Sequence, residues 1–300
     1  MQRIVIIGAG YTGLELTRQA RERGFEVVGT SRSEETRDEL AALGATAVHW
    51  DVLDDDLCAI TPFLGPKTAV VYSVPTLFAD HEAGSPGEPP RHVQPVAKIL
   101  EACVESKTAR FVYLSSTAVY GNHDGEWVDE DAELRADTPA GMMRRDIEDY
   151  VLASSAQIDV NVARIVGIYG PGRTMQGFIA SGRYRLVGGG TKPSNRVHVE
   201  DIAQSVLAMI ERGPKGARVY NVCDGNPVPV RDLVEFICRR TGIDVPPKES
   251  LEEYAARTRN PDALGRWKNA IRCQNARLTD ELGVELRYPD VFEGFDELLK

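Results

Sequence analysis

The sequence predicts an α/β fold, a doubly wound and mostly parallel sheet followed by a smaller C-terminal lobe. Three observations carry that expectation. The chain opens on Arg3-Ile4-Val5-Ile6-Ile7, an apolar run without alternation, as a strand buried on both faces requires. That run passes directly into Gly8-Ala9-Gly10-Tyr11-Thr12-Gly13, a G-x-G-x-x-G turn, and then into a helical segment from Leu14 to Arg21. Strands and helices then alternate through the first half, the pattern of a parallel sheet.

Element by element, Glu26-Val27-Val28-Gly29-Thr30 predicts a second strand and Glu34 to Leu43 a polar helix. Ala47-Val48-His49-Trp50 predicts a short third strand running into Asp51-Val52-Leu53-Asp54, and Ala69-Val70-Val71-Tyr72-Ser73 predicts a fourth. The Gly-, Pro- and acid-rich segment from Asp80 to Pro90 reads as a surface loop. A helix from Val96 to Ser106 leads to a fifth strand, Phe111 to Leu114, and a helix from Asp146 to Ser155 leads to a sixth, Val160 to Ile165. Beyond it the alternation loosens, with loops at Gly170-Pro171-Gly172 and Gly188-Gly189-Gly190. A helix from Glu200 to Arg212, the strand Val219-Tyr220-Asn221-Val222 and helices near Val230–Arg240 and Leu251–Arg257 complete the reading.

In a strand–turn–helix setting the three glycines have separate uses, and the first unit reads as a dinucleotide-binding, Rossmann-type domain. Gly8 permits the sharp turn, Gly10 lets a pyrophosphate approach the backbone, and Gly13 lets the helix pack close to the strand. Tyr11 and Thr12 stand at the helix N-terminus, whose N–H groups and dipole favour phosphate. Residues 1–165 are assigned to this domain and 166–300 to segments of a substrate lobe, the strand near 218–223 being expected to return to the first sheet.

A site selective for NAD carries an acid about 20 residues past the glycines, at the tip of the second strand. Here that tip is Gly29-Thr30-Ser31-Arg32-Ser33, with no acid before Glu34. Ser31 and the guanidinium fork of Arg32 suit a 2′-phosphate. NADP is therefore the expected cofactor, with NAD as the alternative, and Arg32 also fits as a solvated residue ahead of a helix. Asp51 suits the adenine side of the cofactor or a helix cap.

Composition bounds the function. A net charge of −10 argues against a general nucleic-acid surface, and no polybasic patch points to a membrane. No run approaches the roughly 20 apolar residues of a membrane span. The opening run ends in a glycine turn rather than a cleavage site, so it does not read as a signal peptide. Cys58, Cys103, Cys223, Cys238 and Cys273 are scattered, which fits free thiols in a reducing cytoplasm, and neither they nor the five histidines have metal-ligand spacing.

At the end of the fifth strand stands Tyr113-Leu114-Ser115-Ser116-Thr117-Ala118-Val119-Tyr120-Gly121. With the glycine turn, it resembles the short-chain dehydrogenase/reductase superfamily, in particular its extended branch of nucleotide-sugar epimerases and dehydratases. The likeness continues through Ala163 to Gly172, Arg196 to Ala203, Val219 to Val222, Asn275 to Leu278 and Tyr288-Pro289-Asp290, so it spans nearly the whole chain.

The resemblance implies a mechanism in which a serine or threonine, a tyrosine and a lysine act together, the last two in Tyr-x-x-x-Lys on a helix. Lysine and nicotinamide lower the tyrosine pKa, so that the phenolate exchanges a proton with substrate. Ser116 matches the family serine. In Thr138-Pro139-Ala140-Gly141-Met142-Met143-Arg144-Arg145-Asp146-Ile147-Glu148, counting back from Glu148 puts Arg144 at the lysine place and Ala140 at the tyrosine place. This is similar to an atypical subgroup without the catalytic tyrosine, and Gly121 to Glu130 adds to that likeness. Tyr150 is ten residues past Ala140, roughly 15 Å along a helix, and Tyr120 belongs to the turn motif, so neither replaces the phenol. Arg144 keeps donors for a nicotinamide ribose, and it also fits as an i,i+4 surface pair with Glu148.

Arg173, Arg183, Arg185 and Arg196 bracket the three consecutive glycines, a cationic segment in an acidic chain. Arg173, Arg185 and Arg196 are candidate clamps for an anionic small substrate such as a nucleoside-diphosphate sugar, or they belong to a solvated loop. Lys192 and Ser194 could add donors, and Trp50 and Trp127 read as core or rim packing. Two functions follow: an NADP-dependent oxidoreductase or epimerase-like enzyme, or an NADP(H)-binding regulatory protein without turnover.

Overall fold

The computed structural model describes residues 1–53, 56–75 and 88–300. The expected loop at 80–90 therefore falls mostly outside the described residues, as does Asp54. Seven parallel strands form the main sheet: β1 (Arg3–Ile7), β2 (Glu26–Ser31), β3 (Thr46–His49), β4 (Thr68–Tyr72), β5 (Arg110–Ser116), β7 (Asp159–Ile165) and β12 (Ala217–Val222), in the order β12-β7-β5-β4-β1-β2-β3. The doubly wound fold expected from the sequence is the one observed.

The unbroken apolar strands follow from burial on two faces. Ile4, Ile6, Val27 and Val71 point to one layer, packed by Leu16 and Ala20 of α1 (Tyr11–Glu22), Leu40 of α2 (Glu34–Ala42) and Ile202 and Val206 of α6 (Val199–Arg212). Val5, Ile7, Val70 and Phe111 point to the other, packed by Val96 and Ile99 of α3 (Gln94–Glu105) and Ile147 and Val151 of α4 (Pro139–Ala153). Each fully buried Leu, Ile or Val contributes about 1.5–3 kcal/mol.

Beyond the main sheet the chain is built from short pieces, α5 (Gln176–Ala180), α7 (Val230–Thr241), α8 (Leu251–Arg257), α9 (Pro261–Lys268) and α11 (Val291–Leu298) forming a second lobe, while α10 (Ala276–Leu282) packs Leu278 and Leu282 into the core of the main sheet. Two-residue and three-residue strands tie the lobe together. β8 (Gly167–Tyr169) pairs with β11 (Arg196–His198), β9 (Leu186–Val187) with β14 (Lys248–Glu249), β10 (Pro193–Ser194) with β13 (Val228–Pro229), and β6 (Trp127–Val128) with β15 (Arg272–Cys273). Its own core joins Leu233 and Ile237 of α7, Tyr169, Leu186 and Phe295.

Two helix starts differ from the sequence reading by three residues or more. α1 begins at Tyr11 rather than Leu14, because the glycine motif itself supplies the first turn. α4 begins at Pro139, seven residues before the expected Asp146: the Thr138 hydroxyl accepts from the Gly141 N–H at 3.2 Å, and Pro139 sits where its missing N–H is harmless. The position-140 region is thus helix, not turn.

Candidate functional site

At the first turn Gly8 has φ +80°, where only glycine is unstrained, and its N–H donates to Thr30 Oγ1 at 3.0 Å. A Cβ on Gly10 would meet no atom within 4 Å, because that position faces an open cleft, and Gly10 caps α1 with no side-chain hydrogen bond. The first N–H groups of α1 are therefore left for a ligand, and a backbone cradle of this kind fits a pyrophosphate. Gly13 instead brings the helix close, a Cβ there lying 3.2 Å from Ile6 Cγ2. Tyr11 donates its hydroxyl to the Pro171 carbonyl at 3.0 Å, and the Arg173 guanidinium lies 5.5 Å from its ring centre.

Ser31, Arg32 and Asp51 lie at the ends of β2 and β3, beside this turn but outside the cleft lining. Arg32 Nη1 donates to Asp51 Oδ2 at 3.2 Å, with its side chain 67% exposed. Asp51 also accepts from the Leu53 N–H at 3.0 Å; that bond first, then Arg32, holds its carboxyl below the usual range. Ser31 Oγ accepts from the Ser33 N–H at 3.2 Å.

A cleft of about 1160 Å³ runs from Gly8, Gly10 and Tyr11 past Ser116, Ala140 and Arg144 to the second lobe. Ser116 ends β5, and its Oγ accepts from the Ala118 N–H at 3.2 Å. Arg144 Nη1 donates to the Ala140 carbonyl at 3.3 Å. The alternative of a surface pair between Arg144 and Glu148 is corrected: Glu148 is fully buried and belongs to a different network. Its carboxylate accepts from Arg164 Nη2 at 2.8 Å and Nε at 3.0 Å and from Ser115 Oγ at 2.5 Å. Burial pushes the Glu148 carboxyl up, and the Arg164 guanidinium pulls against it. Arg164 also donates to the Tyr120 hydroxyl at 3.0 Å, which donates to Asn221 Oδ1 at 2.7 Å. Tyr120 is thus a buried structural group, and Tyr150 bonds Glu101 at 3.0 Å away from the cleft lining.

At the far end, Arg173, Arg185 and Arg196 all line the cleft. Arg196 donates from Nε to Ser194 Oγ at 2.8 Å, and burial lowers its pKa. Arg185 instead donates to the Gly182 carbonyl at 2.7 Å and the Tyr184 carbonyl at 2.8 Å. Lys192, which the sequence offered only as an added donor, is a lining group here. The sequence reading missed two further cations, Arg257 and Arg266, and the aromatic wall of Phe178, Tyr184 and Trp267. Lys192 Nζ donates to the Arg266 carbonyl, and burial lowers its pKa to about 8. Among the described lining residues, eight cationic side chains face a single carboxylate, Asp262. Asp262 opens α9 and accepts from the Ala140 N–H at 3.0 Å. The Asn260-Pro261 pair signals a helix start, which could have located α9 but not its place against α4. No group of three His, Cys, Asp or Glu among the described residues could hold a metal ion, and no helix among them is long and apolar enough to cross a membrane.

The profile of the NAD dependent epimerase/dehydratase family matches residues 4–223 of the chain. Protein YeeZ of Escherichia coli (strain K12) is 26% identical over 300 residues, covering 97% of each chain. A functionally unknown conserved protein from Silicibacter pomeroyi DSS is 31% identical with a TM-score of 0.79, covering 100% of this chain and 98% of that one. The structure of MoeE5 in complex with UDP-glucuronic acid and NAD has a TM-score of 0.78 at 23% identity, covering 99% and 97%, and shares the fold.

Proposed function

The chain belongs to the NAD dependent epimerase/dehydratase family, and from that premise we propose that it binds NADP(H) at the glycine turn and acts on an anionic small molecule, such as a nucleotide sugar. The observation that carries the reading is the single cleft joining Gly10 to Arg196 past Ser116. A bound nicotinamide supplies hydride exchange. Ser116 hydrogen-bonds a substrate hydroxyl or carbonyl, Arg144 orients the cofactor ribose, and Arg173, Arg185 and Arg196 draw the anionic end of the substrate to the far wall. The substrate class is supported by the excess of cations in the cleft of a chain of net charge −10, and by the complex of MoeE5 with UDP-glucuronic acid.

The preference for NADP rests on Arg32. Its exposed bridge to Asp51 is worth about 0–1 kcal/mol, whereas a charge-assisted contact to phosphate contributes about 1.5–3 kcal/mol. A 2′-phosphate therefore displaces Asp51 with a net gain, and no acid at the tip of β2 stands ready for free ribose hydroxyls. A second reading, an NADP(H)-binding regulatory protein without turnover, is favoured by Ala140 at the place the motif count gives to the tyrosine. Fluorescence titration with NADPH and NADH, followed by stoichiometric incubation of the enzyme with NADP+ and UDP-glucose, UDP-glucuronic acid or dTDP-glucose, separates the two. We expect at least roughly tenfold tighter binding of NADPH and measurable cofactor reduction. Equal affinities defeat the NADP assignment, and tight NADPH binding with no reduction supports the regulatory reading.

A further inference from the structure

Ala140 leaves the cleft without a phenol at its reacting end, yet the same spot is not left without a proton acceptor. Asp262 reaches across from α9 to the first turn of α4, its Oδ1 accepting from the Ala140 N–H at 3.0 Å. Both residues line the cleft, together with Ser116. Nothing among the described residues donates to the second oxygen of Asp262. The phenols of the lining sit elsewhere. Tyr113 and Tyr184 are buried, and desolvation pushes the Tyr184 hydroxyl up to about 12. Tyr254, on α8, packs its ring 6.2 Å from Trp267 and under the Arg257 guanidinium, among the cations of the far wall rather than at Ala140. Tyr11 is bonded to Pro171 beside the glycine turn, and the Lys192 ammonium is held at the opposite, C-terminal end of α9.

Resting on the enzyme reading above, we infer that Asp262 is a catalytic residue, the base that exchanges a proton with the substrate hydroxyl in place of the family's tyrosine. In the oxidative direction the substrate O–H bond breaks and its proton passes to Asp262 Oδ2. The electron pair of that bond becomes the second bond of the new carbonyl. The hydride on the same carbon leaves to NADP+, so the substrate is oxidised by two electrons and the cofactor is reduced to NADPH. The reverse direction returns the proton from the carboxylic acid and the hydride from NADPH. Ser116 donates a hydrogen bond to the same oxygen. A carboxylate from the second lobe also makes the reaction depend on the contact between α9 and α4, which a tyrosine on α4 itself would not.

The competing account is that Asp262 only caps the N-terminus of α4. Asp262→Asn separates the two, because the amide oxygen still accepts from the Ala140 N–H while the side chain can no longer take a proton. The measurements are the melting midpoint, NADPH affinity by fluorescence, UDP-glucose affinity of the NADPH complex by calorimetry, and NADP+ reduction with UDP-glucose, UDP-glucuronic acid or dTDP-glucose. We expect unchanged melting and NADPH affinity, UDP-glucose affinity shifted severalfold, and cofactor reduction slowed about 100-fold or more. Asp262→Ala should lose the same activity and also lower the melting midpoint. Wild-type rates in Asp262→Asn overturn the inference while leaving the enzyme reading intact. An equal loss of melting temperature and NADPH binding in Asp262→Asn overturns it in favour of the cap. A wild type that binds NADPH but reduces no cofactor with any of the three sugars removes the enzyme reading, and this inference with it.

Discussion

At the glycine turn, most of what shapes the site lies within a few residues of chain, Gly8, Gly10 and Gly13 and the first N–H groups of α1, with Thr30 of the next strand holding the Gly8 N–H. At the opposite wall the contacts join residues far apart in sequence. Ala140 meets Asp262, Asp137 accepts from Asn269 at 2.6 Å, the Cys273 N–H donates to Asn195 at 2.8 Å, and the His123 N–H donates to the Ala270 carbonyl at 3.1 Å. On the function proposed above, the nucleotide half is thus a mostly local construction of backbone groups, and the substrate half a long-range one in which side chains take part. A backbone cradle tolerates much sequence change as long as its glycines remain. A wall of side chains can be re-specified one residue at a time, which suits a family that applies one cofactor to many substrates.

The sharpest way to break this contrast is Gly10→Val. A side chain there enters the volume a pyrophosphate needs, from a Cβ that meets no protein atom within 4 Å. We expect complete loss of NADPH binding with an unchanged melting curve, and retained binding would mean that the glycine serves the turn alone. Next in size is Arg164→Met, which leaves Glu148 buried without its partner beneath both halves. Destabilisation of about 3–5 kcal/mol is expected, measured by urea unfolding. Arg32→Ala sharpens the contrast by testing a side chain in the nucleotide half. The preference for NADPH should fall about tenfold or more without change in NADH affinity.

The smallest effect concerns Asp224, at the exit of β12 into the second lobe. Its Oδ1 accepts from the Asn226 N–H at 3.0 Å, its Oδ2 is buried without a partner, and burial pushes its pKa up to about 7. A carboxyl raised in the folded state favours folding when protonated, so its contribution is present below the ordinary value of 3.8 and is lost as pH rises through about 7. Asp224→Asn should therefore raise the melting midpoint at pH 8 by roughly 2–4 °C and by less at pH 5. An equal shift at both pH values would remove the ionisation argument.

The glycine turn, the strands of the main sheet's first half and Ser116 are legible in the sequence because local signals carry them: unbroken apolar runs, glycines at fixed spacing, a strand end. Glu148 reads as a surface partner for Arg144, four residues away, because helix spacing says nothing about a third element. Arg164 on β7 claims that carboxylate from below. Asp262 and Trp267 give no functional signal in the sequence, since their meaning comes entirely from where α9 docks. The start of α4 escapes the sequence because Thr138-Pro139 reads equally as a turn and as a capped first turn. Tertiary packing on Ala118 decides between them, a Cβ on Gly141 lying 2.7 Å from the Ala118 carbonyl oxygen.

The long-range wall also sets an order in time. Synthesis runs at about 5–20 residues per second, and more than two hundred residues separate the tip of β2 from α9. A nascent chain therefore exposes its cofactor cradle roughly 10–50 s before the segment bearing Asp262 exists. In that interval a dinucleotide, if the cradle binds one, would steady the half-built sheet by mass action, and the cleft is completed last.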